Sequence, residues 1–151
     1  MMSRWPVSLI VQRKRASLVK TPEHCVRQFI GAHSSWETRA NARVNQLQPG
    51  TLEYQSAVAE AEAEYVELIS KLCATSVIRQ NISFGDDLMH SASRESVESI
   101  VESAGDAVVR TRHVGLHGFT SEYEYRLVRL EGEWRIASLL YVDAEGAYEC
   151  L

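Results

Sequence analysis

The chain lacks several things that would settle its class at once. No segment approaches the ~20 consecutive apolar residues that a membrane span requires. Cysteine occurs three times, at Cys25, Cys73 and Cys150. An odd number at wide spacing excludes a disulfide framework and fits a reducing compartment, so a cytoplasmic protein is expected. Gly-rich phosphate loops and dinucleotide fingerprints are missing, and so are internal repeats and low-complexity tracts. Acidic residues are absent from the first twenty positions, which hold Arg4, Arg13, Lys14, Arg15 and Lys20. The rest of the chain therefore carries eleven basic against twenty acidic side chains, a balance of −9. An acidic body disfavours nucleic acid, whose phosphates need Lys and Arg, and suits a basic protein partner.

Positively present are 151 residues of ordinary globular composition, enough for one substantial core. Residues 1–20 combine a short apolar run, Val7 to Val11, with a basic patch. They read as a loosely attached N-terminal extension to a single α+β domain over residues 21–151. Thr21-Pro22-Glu23 is a helix start, with Thr as N-cap, Pro at the first helical position and an acid in the first turn. The helix that follows has its apolar face at Val26, Phe29, Ile30, His33, Trp36, Ala40, Val44 and Leu47, and Pro49-Gly50 ends it. A second helix runs from about Thr51 to Ala74, with an apolar stripe at Val58, Ala61, Tyr65, Leu68, Ile69 and Leu72. Glu53, Glu60, Glu64 and Glu67 fall together on its opposite side.

The pattern then changes period. Residues 77–82, 97–103 and 107–114 read as strands, with a break at Phe84 to Asp87 and a turn at Ala104-Gly105-Asp106. Tyr123 to Leu130 and Glu133 to Ile136 flank Glu131-Gly132 and read as a hairpin. A two-residue loop sets Leu127 opposite Ile136 and Arg129 opposite Trp134. One face then carries Tyr123, Tyr125, Leu127, Trp134, Ile136 and Leu140, and the other carries Glu124, Arg126, Glu133 and Arg135. Residues 147–151 add a short edge. Helices first and antiparallel strands after predict an α+β fold with the helices on one face of a curved sheet.

This order resembles the nuclear-transport-factor-two-like fold. It implies a cone-like domain, with N-terminal helices on the concave face of a strongly bent antiparallel sheet. Phe29-Ile30, Trp36-Glu37, Tyr65 to Thr75, Ala107 to Thr111, Tyr123 to Tyr125, Gly132 to Arg135 and Asp143 to Gly146 together resemble one branch of it. These are the bacterial immunity proteins of polymorphic toxin systems. Where that branch commonly carries a Trp, this chain has Ala147-Tyr148. The resemblance implies a non-catalytic, cytoplasmic protein that binds and neutralises a cognate toxin domain, with no cofactor, metal, nucleic acid or membrane involved.

Two other classes compete. One is a small-molecule binder or a ketosteroid-isomerase-like enzyme using the cone cavity, with Glu37 and His33 or His113 as acid/base groups and Tyr125 and Trp134 lining the pocket. The structural alternative has Glu37 accepting hydrogen bonds from strand or loop amides, and Tyr123, Tyr125 and Trp134 in the core. The other class is a scaffold that pairs with itself as a homodimer, or with another protein, through the outer sheet face. That face reads as charged, which disfavours it.

His113 and His117 have metal-ligand spacing only on a helix. Along a strand they stand roughly 13 Å apart, too far for one ion. Asp86, Asp87 and His90 read as a solvated loop cluster, and Cys73 as core. The stripe Glu53, Glu60, Glu64, Glu67 reads as a solvated helix face, with a docking surface for a basic toxin as the functional alternative.

Overall fold

The computed structural model describes residues 21–74 and 87–151. It is an α+β fold with two helices packed against an open sheet of five antiparallel strands. Helix α1 spans Pro22–Val44 and helix α2 spans Leu52–Leu72. The strands are β1 (Glu95–Glu102), β2 (Asp106–Val114), β3 (Thr120–Leu130), β4 (Glu133–Val142) and β5 (Ala147–Glu149). They lie in the sheet in chain order, a meander. The extension at residues 1–20 and the strand expected at 77–82 fall outside the described residues.

Both helices start on the same device. The Thr21 and Thr51 hydroxyls accept the backbone N–H of His24 and Tyr54, satisfying donors that have no partner inside a helix. α1 stops at Val44, one turn and more before Pro49-Gly50, so Leu47 lies beyond the helix and is only half-buried. α1 is the helix that rests on β1, β2 and β4, while α2 packs chiefly against α1. Small residues allow this: Ala57 and Ala61 face α1, and the Trp36 indole N–H donates to the Ala61 carbonyl at 2.8 Å. Beyond α2, Cys73 and Ala74 run alongside β4, and the Ala74 N–H bonds to the Ile136 carbonyl.

The β3–β4 hairpin has the expected register, with Leu127 opposite Ile136 and Arg129 opposite Trp134. Its two turn residues both have positive φ, 51° at Glu131 and 81° at Gly132, matching a turn whose twist suits the flanking strands. One residue of the expected inner face is corrected. Arg126 pairs with Ser138 while Leu127 pairs with Ile136, so Ala137 is an extra residue, a β-bulge. Because side chains alternate along a strand, one inserted residue exchanges the faces beyond it. Leu139, opposite Tyr125, therefore enters the core, and Leu140, opposite Glu124, turns to the outer face. A second bulge interrupts β1 between Val97 and Ser99.

The core lies between α1 and the sheet. Phe29, Trp36, Tyr125, Leu127, Ile136 and Leu139 are its largest fully buried apolar side chains. On the outer face Glu124 is held by Arg110 at 2.9 Å and Arg126 at 2.8 Å. Burial pushes its carboxyl up, but the two guanidiniums outweigh that and leave its pKa below the usual carboxylate value. No helix among the described residues is long and apolar enough to cross a membrane.

Candidate functional site

The polar groups of the chain converge inside the fold, where α1 meets the sheet. Alternation along β2 turns Ala107, Val109, Thr111 and His113 inward. The register places His113 across from Glu95 at the start of β1, and Tyr125 across from Val109. α1 contributes His33 and Glu37 from the same buried stripe as Phe29 and Trp36. The segment before β1 drops the His90 ring between them.

Glu95 is the hub. Its Oε1 lies 2.7 Å from His90 Nδ1, and its Oε2 accepts from the Thr111 hydroxyl at 2.6 Å and the Tyr125 hydroxyl at 2.7 Å. An ionised carboxylate only accepts, so His90 Nδ1 carries the proton in this contact. Burial pushes the Glu95 carboxyl up, but the His90 contact and the two hydroxyls outweigh it and hold its pKa below the usual value. The Tyr125 hydroxyl, 3.1 Å from His90 Nδ1, is driven well above its ordinary value by burial and by the Glu95 charge. Tyr123 is raised for similar reasons and donates to the Met89 carbonyl at 3.2 Å.

The two α1 candidates are present but sealed. His33 is 4% exposed and Glu37 2%. Their closest approach, His33 Nδ1 to Glu37 Oε1, is 4.0 Å, too long for a hydrogen bond. Glu37 Oε1 instead accepts the Met89 backbone N–H at 2.8 Å, the structural role anticipated for it. His33 is wrapped in rings: Trp36 at 5.3 Å, Phe29 at 5.6 Å, Tyr65 at 6.0 Å and His90 at 4.8 Å between centroids. Burial, and then the neighbouring His90, push its pKa well below the ordinary histidine value. Burial also lowers the pKa of His113, with Glu95 partly opposing. His33 Nδ1, His90 Nε2 and His113 Nε2 are buried without a hydrogen-bond partner.

Other expected residues fall elsewhere. Trp134 is core, with the Arg129 guanidinium 5.9 Å from its ring centre. His117 sits exposed in the β2–β3 turn, so it does not join His113. No cluster of three or more metal-ligating side chains occurs among the described residues. Cys73 is buried, and burial together with nearby Cys25 pushes its thiol up to about 12, a poor nucleophile. Of the acidic stripe, Glu53 is exposed in the first turn of α2. Glu60 lies 3.1 Å from Arg43, Glu64 lies 3.4 Å from Arg43 and 3.9 Å from Arg39, and Glu67 lies 3.1 Å from Lys71. Three of the four glutamates thus already have a counter-ion. Arg39, Glu64, Glu67 and Lys71 also border a surface cleft of about 580 Å³ between the helices, with Leu68 and Leu72.

Sequence reasoning placed His90 in a solvated loop, whereas it is fully buried at the centre of the cluster, and it did not single out Glu95 or Thr111 at all. The usable signal for Thr111 was alternation with His113 on β2. Glu95 had none, because its partners are set by sheet register.

Chemically, the cluster satisfies buried charge and fixes α1 on the sheet. Its two carboxylates accept hydrogen bonds from within the fold, and its rings and hydroxyls are buried. Comparison with protein-family models, with characterised proteins and with solved structures finds no match for this chain.

Proposed function

We propose that this chain is an immunity protein, a cytoplasmic inhibitor that binds and neutralises a cognate toxin domain without catalysis, built on the cone-shaped plan of the nuclear-transport-factor-two-like fold. The helices-then-meander order and the one-sided packing support that plan. So do the two bulges, in β1 and β4, since bulges bend and twist the strands that carry them.

The observation that carries the functional reading is the sealing of the interior. An isomerase-like enzyme needs an accessible pocket of ~300 Å³ or more with convergent polar groups. Here the convergent groups His33, Glu37, His90 and Glu95 are all buried, and Glu37 and Glu95 already accept hydrogen bonds from within the fold. A protein whose interior polar groups are enclosed in this way acts through its surface. The acidic balance of residues 21–151 favours a basic partner, such as a toxin that must itself bind phosphate.

The test is co-expression with the product of the neighbouring gene. Restored growth of cells otherwise killed by that product, together with co-purification of the two proteins, is the expected result. Unrelieved toxicity, or turnover of a small-molecule substrate by this chain alone, sinks the reading. Within it, the α2 stripe is the candidate contact. Charge reversal at Glu53 and Glu60 should weaken association at low salt and matter less at high salt. Unchanged affinity removes the stripe as the contact.

A further inference from the structure

We propose that the junction of α1 with the sheet is an acid-sensitive latch: His33, buried among rings with no acceptor at Nδ1, holds α1 in place only while uncharged, and acidification releases the helix. The argument starts from what surrounds that ring. From α1 itself comes Glu37, 4.0 Å from Nδ1 and already accepting the Met89 N–H. From α2 comes Tyr65, edge-on at 6.0 Å. From the segment before β1 comes His90, 4.8 Å away. Behind His90 stand Glu95 of β1, Thr111 and His113 of β2, and Tyr123 and Tyr125 of β3. β4 presents apolar Ile136 and Leu139 to the same core.

A proton added to His33 therefore has no ready acceptor. Glu37 stands 4.0 Å away, so meeting the charge means moving the carboxylate that also ties α1 to the segment carrying His90 through the Met89 N–H. The Glu95 carboxylate is already engaged by three donors. His113, the third buried ring of the cluster, is influenced by Glu95, Asp87, Arg94 and His90, and it too has an unpartnered nitrogen. Solvating a newly charged His33 requires moving α1 away from the sheet, because α1 is the element that covers it. The latch is a property of the fold alone and does not depend on any partner.

The sign follows from linkage. His33 and His113 are depressed from 6.5, so their contribution is complete above pH 6.5 and declines as the unfolded chain takes up protons that the folded one refuses. Trp36, 5.3 Å from His33, reports the event. The experiment is an acid titration followed by near-ultraviolet circular dichroism and tryptophan fluorescence. It uses the wild type, H33F, and the exposed-histidine controls H24Q and H117Q.

The expected result is a reversible loss of tertiary signal in the wild type between pH 6.5 and pH 4.5, the ordinary carboxylate value, before carboxylates titrate. H33F should lower the midpoint by about half a pH unit or more, and the two controls should leave it unchanged. A wild type that keeps its tertiary signal to pH 4.5, or an H33F that titrates with it, overturns the proposal. If H33F does not fold at neutral pH, the His33 ring resonance of the wild type decides by nuclear magnetic resonance. Titration below 6.5 in step with loss of the Trp36 indole signal supports the latch. Titration at 6.5 with that signal intact refutes it.

Discussion

Two buried-looking glutamates on strands of the same sheet, β1 and β3, show how context decides the value of a residue. Glu95 is enclosed and takes three hydrogen bonds, so removing it strips His90, Thr111 and Tyr125 of their shared acceptor. Glu124 is paired with Arg110 and Arg126, both more than half exposed and able to return to water. Glu95→Ala is expected to cost about 3 kcal/mol or more. Glu124→Ala is expected to cost about 1 kcal/mol or less. Urea unfolding of the two variants measures the difference, and equal losses would contradict the assignment of Glu95 as hub. Glu37→Ala falls between, at roughly 1–3 kcal/mol, because it leaves the Met89 N–H without its acceptor.

Legibility at this scale followed from spacing. Glu37 stood out because it lies four residues from His33 inside an apolar stripe, and its acceptor role was readable from the cost of burying a bare carboxylate. Glu95 was not readable. It sits in Glu95–Glu102, a strand rich in Ser and Glu, and its meaning comes from lying across from His113, eighteen positions away. His90 was misread for a related reason. Local sequence marks it as loop, and only tertiary packing of the β3 tyrosines, Phe29 and His33 buries it.

Among the elements, the helices and the β3–β4 hairpin were legible because each rests on short-range chemistry. Thr N-caps mark both helix starts, and Glu131-Gly132 supplies the paired positive φ of the tight turn. The register at Leu127 and Arg129 followed from that turn alone. It failed beyond Ala137, because nothing in Ile136-Ala137-Ser138 signals an inserted residue, and the fault put Leu139 in the central cluster and the still-buried Leu140 on the opposite face.

The correction is testable. Leu139→Ala should cost about 2–5 kcal/mol, as a core truncation does. Leu140→Ala should cost less, about 2 kcal/mol, because Leu140 is buried but lies on the outer face, apart from the central cluster. Reversed magnitudes in thermal or urea unfolding would mean the bulge is misplaced. At the turn, Glu131 occupies a left-handed conformation that Asn tolerates better. Glu131→Asn should raise stability by roughly 0.5 kcal/mol, and Gly132→Ala should lower it by about 1 kcal/mol.

The molecule as a whole should weaken on acidification in two stages. His33 and His113 are depressed from 6.5, so their stability is present above that pH and falls below it, by at most about 1.4 kcal/mol per pH unit for each proton. Glu95 is depressed from 4.5, so its contribution is present above that value and is lost only as pH falls through its lower folded pKa. Both stages have the same sign. Urea midpoints measured in pH steps should therefore decline monotonically below neutrality, and a rise in stability on acidification to pH 5 would contradict the buried-neutral state of the histidines.

Sealing also bears on function. With the interior polar groups enclosed, a conservative interior change such as Tyr125→Phe should alter stability but leave partner binding intact, whereas surface changes on α2 should do the reverse.

Mixing the purified chain with the purified product of the neighbouring gene, and following the mixture by size-exclusion chromatography with light scattering, tests the central claim most directly. A complex of defined stoichiometry that survives dilution to about 1 µM, equivalent to about 8 kcal/mol of binding free energy, is the predicted result. Separate elution of two active, unassociated proteins at tens of micromolar, far above that (~1 µM) threshold, would contradict it.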